Sequence, residues 1–168
     1  AWREAAVIRA YAAYLRQLGT PFGPRYIAET LNRHAGVTRD ILELFHVRLD
    51  PGRGLTPEQR AAAEAPIRAR IEGALANVPS LDEDRILRTA LNLVGVTVRT
   101  NFYQPGPDGR PAETIAFKFD SKAVEASPNP RPYLEIWVYS PRVEGIHLRF
   151  APMPRGGHLC GVPESRTN

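Results

Sequence analysis

The apolar residues of this chain change their spacing near residue 104, and that change limits the fold to helices first and strands afterwards. Up to Tyr103 they recur every three or four positions; beyond Pro111 they alternate. The stretch between, Gln104 to Pro111, holds Pro105, Pro107 and Pro111 with Gly106 and Gly109, a composition that makes turns or a domain joint. The chain therefore reads as α+β: an N-terminal helical bundle over 1–103, then a small, mostly antiparallel sheet within 104–168.

Five helices are expected. Val7, Ile8, Tyr11, Tyr14, Leu15 and Leu18 form one apolar stripe, ended by Gly19 and kept from resuming by Pro21. Pro24 opens a short helix presenting Tyr26, Ile27 and Leu31. Thr38 is placed to cap a third, with Ile41, Leu42, Phe45 and Leu49 on its buried side and Asp50-Pro51-Gly52 at its end. Thr56-Pro57-Glu58-Gln59 is a capping box with proline at the first helical position, followed by Ile67, Ile71, Leu75 and Val78. Ser80-Leu81-Asp82-Glu83 repeats that logic before Ile86, Leu87, Ala90, Leu91 and Val94. After Gly95, Val96 and Val98 fit either a fraying helix or a strand.

Three strands are expected at Glu113 to Asp120, Tyr133 to Tyr139 and Gly145 to Phe150. Ile115, Phe117 and Phe119 share one face of the first, and Leu134, Ile136 and Val138 one face of the second. The last two are close enough for a hairpin. It leads into Arg155-Gly156-Gly157 shortly before residue 168, so the segment reads as the delivery of a binding loop in a larger machine.

Several chemistries lack their sequence marks. There is no GxGxxG or Walker loop and no nucleophile elbow. His158 and Cys160 are the one closely spaced metal-capable pair, short of the roughly four ligands a zinc site needs. His34 and His46 read as surface or cap residues, and His147 as a packed strand residue. A net charge of +4 arises from 22 basic and 18 acidic residues with the signs interspersed, which argues against a nucleic-acid face. Phe117, Phe119, Trp137 and Tyr139 read as packing residues rather than a base-stacking platform. No run nears the roughly 18 apolar residues of a membrane span. The lone Cys160 fits a reducing compartment, and Ala1 in place of methionine a processed or excised end. In Arg155-Gly156-Gly157 the glycines let a ligand approach the backbone and the guanidinium can fork a carboxylate; a plain glycine turn with a solvated arginine is the other reading. Arg142 and Arg149 are free to pair with Glu135 and Glu144.

Longer stretches are informative as a set. Arg99-Thr100-Asn101-Phe102-Tyr103-Gln104, Ala116-Phe117-Lys118-Phe119-Asp120-Ser121 and the run from Glu135 to Phe150 closely resemble the large bacterial NAD-specific glutamate dehydrogenases. Trp2-Arg3-Glu4, the run from Ala10 to Gln17 and that from Val78 to Arg88 agree, so the resemblance covers about 1–157. It implies an interior slice of a very large chain, joining a regulatory, oligomerising helical region to the start of a substrate domain, with a Rossmann-type NAD domain further on. It implies L-glutamate and 2-oxoglutarate as substrate and product, a homo-oligomer and a cytoplasmic location. NAD would belong to the parent enzyme, with none bound to this chain. Arg155, Gly156 and Gly157 look like the element that helps bind the substrate carboxylate, while the family's catalytic lysine and aspartate find no match. After Gly157 the family continues with a leucine-arginine-tryptophan-serine-aspartate type of sequence, whereas this chain reads His158-Leu159-Cys160-Gly161. The alternative class is a non-catalytic helical assembly or regulatory module.

Overall fold

A computed structural model describes residues 2–106 and 108–152. Five α-helices come first: α1 (Trp2–Gln17), α2 (Pro24–Arg33), α3 (Ala35–Leu49), α4 (Pro57–Leu75) and α5 (Leu81–Val96). Four strands follow, β1 (Thr97–Thr100), β2 (Ile115–Phe119), β3 (Leu134–Tyr139) and β4 (Glu144–Arg149), in one antiparallel sheet of order β1-β2-β3-β4. Short 3₁₀ turns occupy Pro51–Arg53 and Ser121–Ala123.

The expected start and stop signals mostly act as such. Gly19 takes a φ of +73°, open to glycine without strain, just past the end of α1. The box at α4 closes from both sides: Gln59 N donates to Thr56 Oγ1, and Thr56 N donates to Gln59 Oε1. Ser80 caps α5 by accepting from Glu83 N.

Thr38 does not begin α3. The helix starts at Ala35, and the Thr38 hydroxyl instead donates to Leu31 O at 2.7 Å, tying α3 back to α2. His34 stands between the two helices as the cap of both, its Nε2 at 2.7 Å from Glu83 Oε2. Thr38 thus satisfies a leftover carbonyl of α2 rather than a donor at the start of α3.

The helix-to-strand change comes earlier than residue 104. With no loop between, α5 passes into β1 at Thr97, whose hydroxyl donates to Leu93 O at 2.7 Å and lies 2.8 Å from Tyr11 Oη. A register shift between Thr97 and Arg99 places Val98 and Arg99 opposite Lys118, as in a bulge.

One apolar core runs from Val7 on α1 to Trp137 on β3, so helices and sheet are packed as a unit. Its centre is aromatic. Tyr11 stacks on Phe117 with centroids 4.4 Å apart, Tyr14 meets Phe119 at 4.6 Å and Trp137 at 5.5 Å, and Phe45 meets Phe117 edge-on.

Leu134, Ile136 and Val138 do share a face, but it is the one turned away from the helices. Cross-strand pairing sets Trp137 beside Phe117 and Glu135 beside Phe119, so the face of β3 beneath α1 carries Glu135 and Trp137, 4% and 1% exposed. A period of two identifies two faces without saying which is buried; here the β2 aromatics decide.

Candidate functional site

Arg155, Gly156 and Gly157 lie outside the described residues, as do His158 and Cys160. What is described is the scaffold that leads to them, the β3–β4 hairpin. Its turn is built by Ser140, whose Oγ accepts from Arg142 N and Val143 N, while Ser140 N donates to Val143 O at 2.8 Å. The ladder then runs in register from Tyr139↔Glu144 to Leu134↔Arg149, and Tyr133 N extends it by donating to Arg149 O at 2.7 Å.

Beyond the strand, the Arg149 guanidinium turns along its own chain. It donates to Ala151 O at 2.8 Å and to Pro152 O. It therefore orders the exit of β4 and leaves Glu135 and Glu144 to other partners. The Arg142 side chain is exposed.

Both of those carboxylates bind α1. The Tyr14 hydroxyl donates to Glu135 Oε2, and Arg16 Nη2 reaches both Glu144 oxygens at 2.7 and 2.9 Å. Between them Trp137 Nε1 donates to Ala10 O at 2.9 Å. Three contacts along one helix thus fix the hairpin. Burial pushes the Glu135 carboxyl above its ordinary range, with the Tyr14 hydrogen bond opposing. Burial, reinforced by the Glu135 hydrogen bond and charge, pushes the Tyr14 hydroxyl upward.

A second seam joins α1 and α3 to the segment after β1. Arg3 donates to Phe102 O at 2.6 Å and lies over the Phe102 ring; His46 Nδ1 meets Tyr103 Oη at 2.8 Å, with Glu4 at 3.6 Å from Nε2. Burial lowers the His46 pKa, with Glu4 opposing. His46 is thus part of a packed joint rather than a surface residue.

Elsewhere arginines bind the helices together. Arg48 joins Glu64 at 2.6 Å and Gly95 O at 2.7 Å, and Arg33 pairs with Glu83. A groove of about 850 Å³ runs between the end of α1 and the outer side of α5. Its charges, Asp82, Asp84, Arg85, Arg88 and Glu125, are mixed in sign, and none of its lining residues belongs to β3 or β4.

A nicotinamide dinucleotide does not fit the described residues. Its usual cradle is a glycine-rich turn from a parallel strand into a helix. Here the sheet is antiparallel throughout, and no α-helix follows a strand among the described residues. Among those residues no group of three His, Cys, Asp or Glu could hold a metal ion, and no helix is long and apolar enough to cross a membrane.

Periodicity gave no sign of Tyr14, Arg16 and Glu135 as positioning residues, because their pairings span 121 and 128 residues. The one available signal was Glu135 itself, a carboxylate alternating with apolar residues in a strand.

Sequence comparison complements this geometry. A family model described as the catalytic domain of bacterial NAD-glutamate dehydrogenase matches residues 70–160, and one described as helical motif 3 of glutamate dehydrogenase matches residues 1–51. The NAD-specific glutamate dehydrogenase of Pseudomonas aeruginosa is 46% identical over 156 residues, 93% of this chain and 10% of that protein. Proteins of the same name from Halomonas elongata and Mycobacterium tuberculosis are 44% and 41% identical, again over 93% of this chain and 9% and 10% of theirs. The chain spans about a tenth of the length of the curated relatives it matches.

Proposed function

The chain belongs to the bacterial NAD-glutamate dehydrogenase family, and we propose that it serves in such an enzyme as the joint that seats the start of the substrate domain on the helices before it. The reaction of the whole enzyme is oxidative deamination of L-glutamate to 2-oxoglutarate and ammonia, with NAD accepting the hydride. The supporting observation is the triple attachment of the β3–β4 hairpin to α1 through Tyr14–Glu135, Ala10–Trp137 and Arg16–Glu144, just ahead of Arg155-Gly156-Gly157.

In this reading Arg155 forks the substrate carboxylate and the two glycines let it approach the backbone. The hairpin's part is positional, since a misplaced binding group forfeits much of the benefit of holding reactants together. The cofactor would supply hydride acceptance from elsewhere in the enzyme, and the 168-residue chain alone is catalytically silent. The enzyme is cytoplasmic and a homo-oligomer. The division at 103/104 falls in the turn after β1 and within one apolar core, so a chain ended at Tyr103 would lose Phe117, Phe119 and Trp137 from its core.

The test is NAD reduction with L-glutamate by this chain and by the same chain continued to the length of its relatives. Turnover only in the longer protein, reduced by Arg155→Ala with a raised KM for glutamate, supports the reading. Turnover by the short chain overturns it. Silence in a folded longer protein would favour the non-catalytic assembly module.

A further inference from the structure

The outer face of the sheet has a composition that nothing above explains. In register, it displays Ala116 and Lys118 from β2, Leu134, Ile136 and Val138 from β3, and Gly145, His147 and Arg149 from β4. The bulge adds Val98 and Arg99. Each of the β2, β3 and β4 residues is only partly buried, and Val98 is 53% exposed. The helices lie against the opposite face, where Phe117, Phe119 and Trp137 are buried.

Charge is segregated between the two faces. The carboxylates on β3 and β4, Glu135 and Glu144, both point inward and are taken by α1. Outward, an aliphatic centre is bordered by Arg99, Lys118, His147 and Arg149, with no acidic strand residue among them. Arg99 and Lys118 have no ion pair among the described residues. Unpaired basic side chains around an uncovered aliphatic strip favour an acidic partner by charge complementarity.

We propose that this face is the seat of an amphipathic helix with an apolar stripe and a carboxylate-bearing flank, supplied by the longer polypeptide to which the chain belongs. An aliphatic sheet face is ordinarily covered by a second layer, and a helix stripe matches the strip formed by Leu134, Ile136 and Val138 along β3. Carboxylates on its flank would meet Lys118 and Arg99. The relatives, about ten times longer, have chain to spare for it. Two other occupants are disfavoured by charge. Residues 153–168 carry Arg155 and Arg166 against Glu164 alone, and a second copy of the same face would set basic border against basic border.

Cysteine footprinting reads this without turnover, so its outcome is independent of the proposed activity. Ile136→Cys, and separately Val138→Cys, would be placed in a Cys160→Ser background, both in this chain and in the chain continued to its relatives' length. In the short, monomeric chain a maleimide should label either position readily; in the longer protein labelling should slow at least about tenfold, since it then waits on local opening. Adding Lys118→Glu to the longer protein should restore fast labelling. Equal labelling rates in the two proteins would overturn the proposal. So would insensitivity to Lys118→Glu, which removes the acidic flank, or protection in a short chain that sediments as a dimer, which makes a second copy the occupant.

Discussion

The two faces of this sheet come from the same strands and differ in almost every physical respect. Inward, Phe117, Phe119 and Trp137 are essentially buried, and each strand carboxylate is matched to a group on α1. Outward, aliphatic side chains stay half-buried and the border is basic. The inner face is covered by the helices across β2 and β3, with Leu148 on β4 left 39% exposed, whereas the described residues place no layer on the outer face. A two-residue period therefore distinguishes the faces, but their partners determine what each one is for.

The contrast can be broken most directly at Trp137. Trp137→Ala should remove about 3–5 kcal/mol of stability in urea denaturation, through lost burial and a cavity beneath α1. Ile136→Ala, one residue along and facing outward, should cost only about 1 kcal/mol in the same chain. Equal losses would mean that both faces are packed alike.

Tyr14→Phe comes next. It leaves a buried carboxylate unpartnered and should cost about 1–3 kcal/mol near neutral pH. The double change Tyr14→Phe with Glu135→Leu should recover part of that loss; no recovery would show that the hydroxyl does not act through Glu135.

Glu135→Gln sharpens the same point through pH. Burial raises the native carboxyl pKa above its ordinary 4.5, so the native state holds this proton more tightly than the unfolded chain does. Its contribution to stability is then full below that ordinary value and lost as pH rises through the raised one. Glutamine does not titrate, so the stability of the variant relative to the parent should climb as pH rises from that ordinary value through the raised one. A flat difference would show that Glu135 is not protonated more readily in the fold. Arg16→Ala should have the smallest effect, about 0.2–1 kcal/mol and weaker in high salt, because the Arg16–Glu144 pair is partly exposed.

How much of this was visible beforehand varies by element. The starts of α4 and α5 were legible because their caps act within four residues. The three later strands were found to within two residues at each end. Thr38 misled because a threonine near a helix start can as well donate to the carbonyl of a neighbouring helix. Val98 was ambiguous, since its short strand has too few residues to show a period and is held by pairing with β2. Of the candidate site, the sequence displayed the Arg155-Gly156-Gly157 element and the family, and it left the hairpin's attachments unseen.

By itself the sequence determined the five helices and the three later strands, the caps of α4 and α5, the hairpin link and the family, because each depends on residues near one another or on long matching runs. The tertiary structure alone decided which face of β3 is buried, that Glu135 belongs to Tyr14, and that the basic residues of the sheet gather on one side. Those outcomes follow from strand register and from helix packing across more than a hundred residues, which no local spacing encodes.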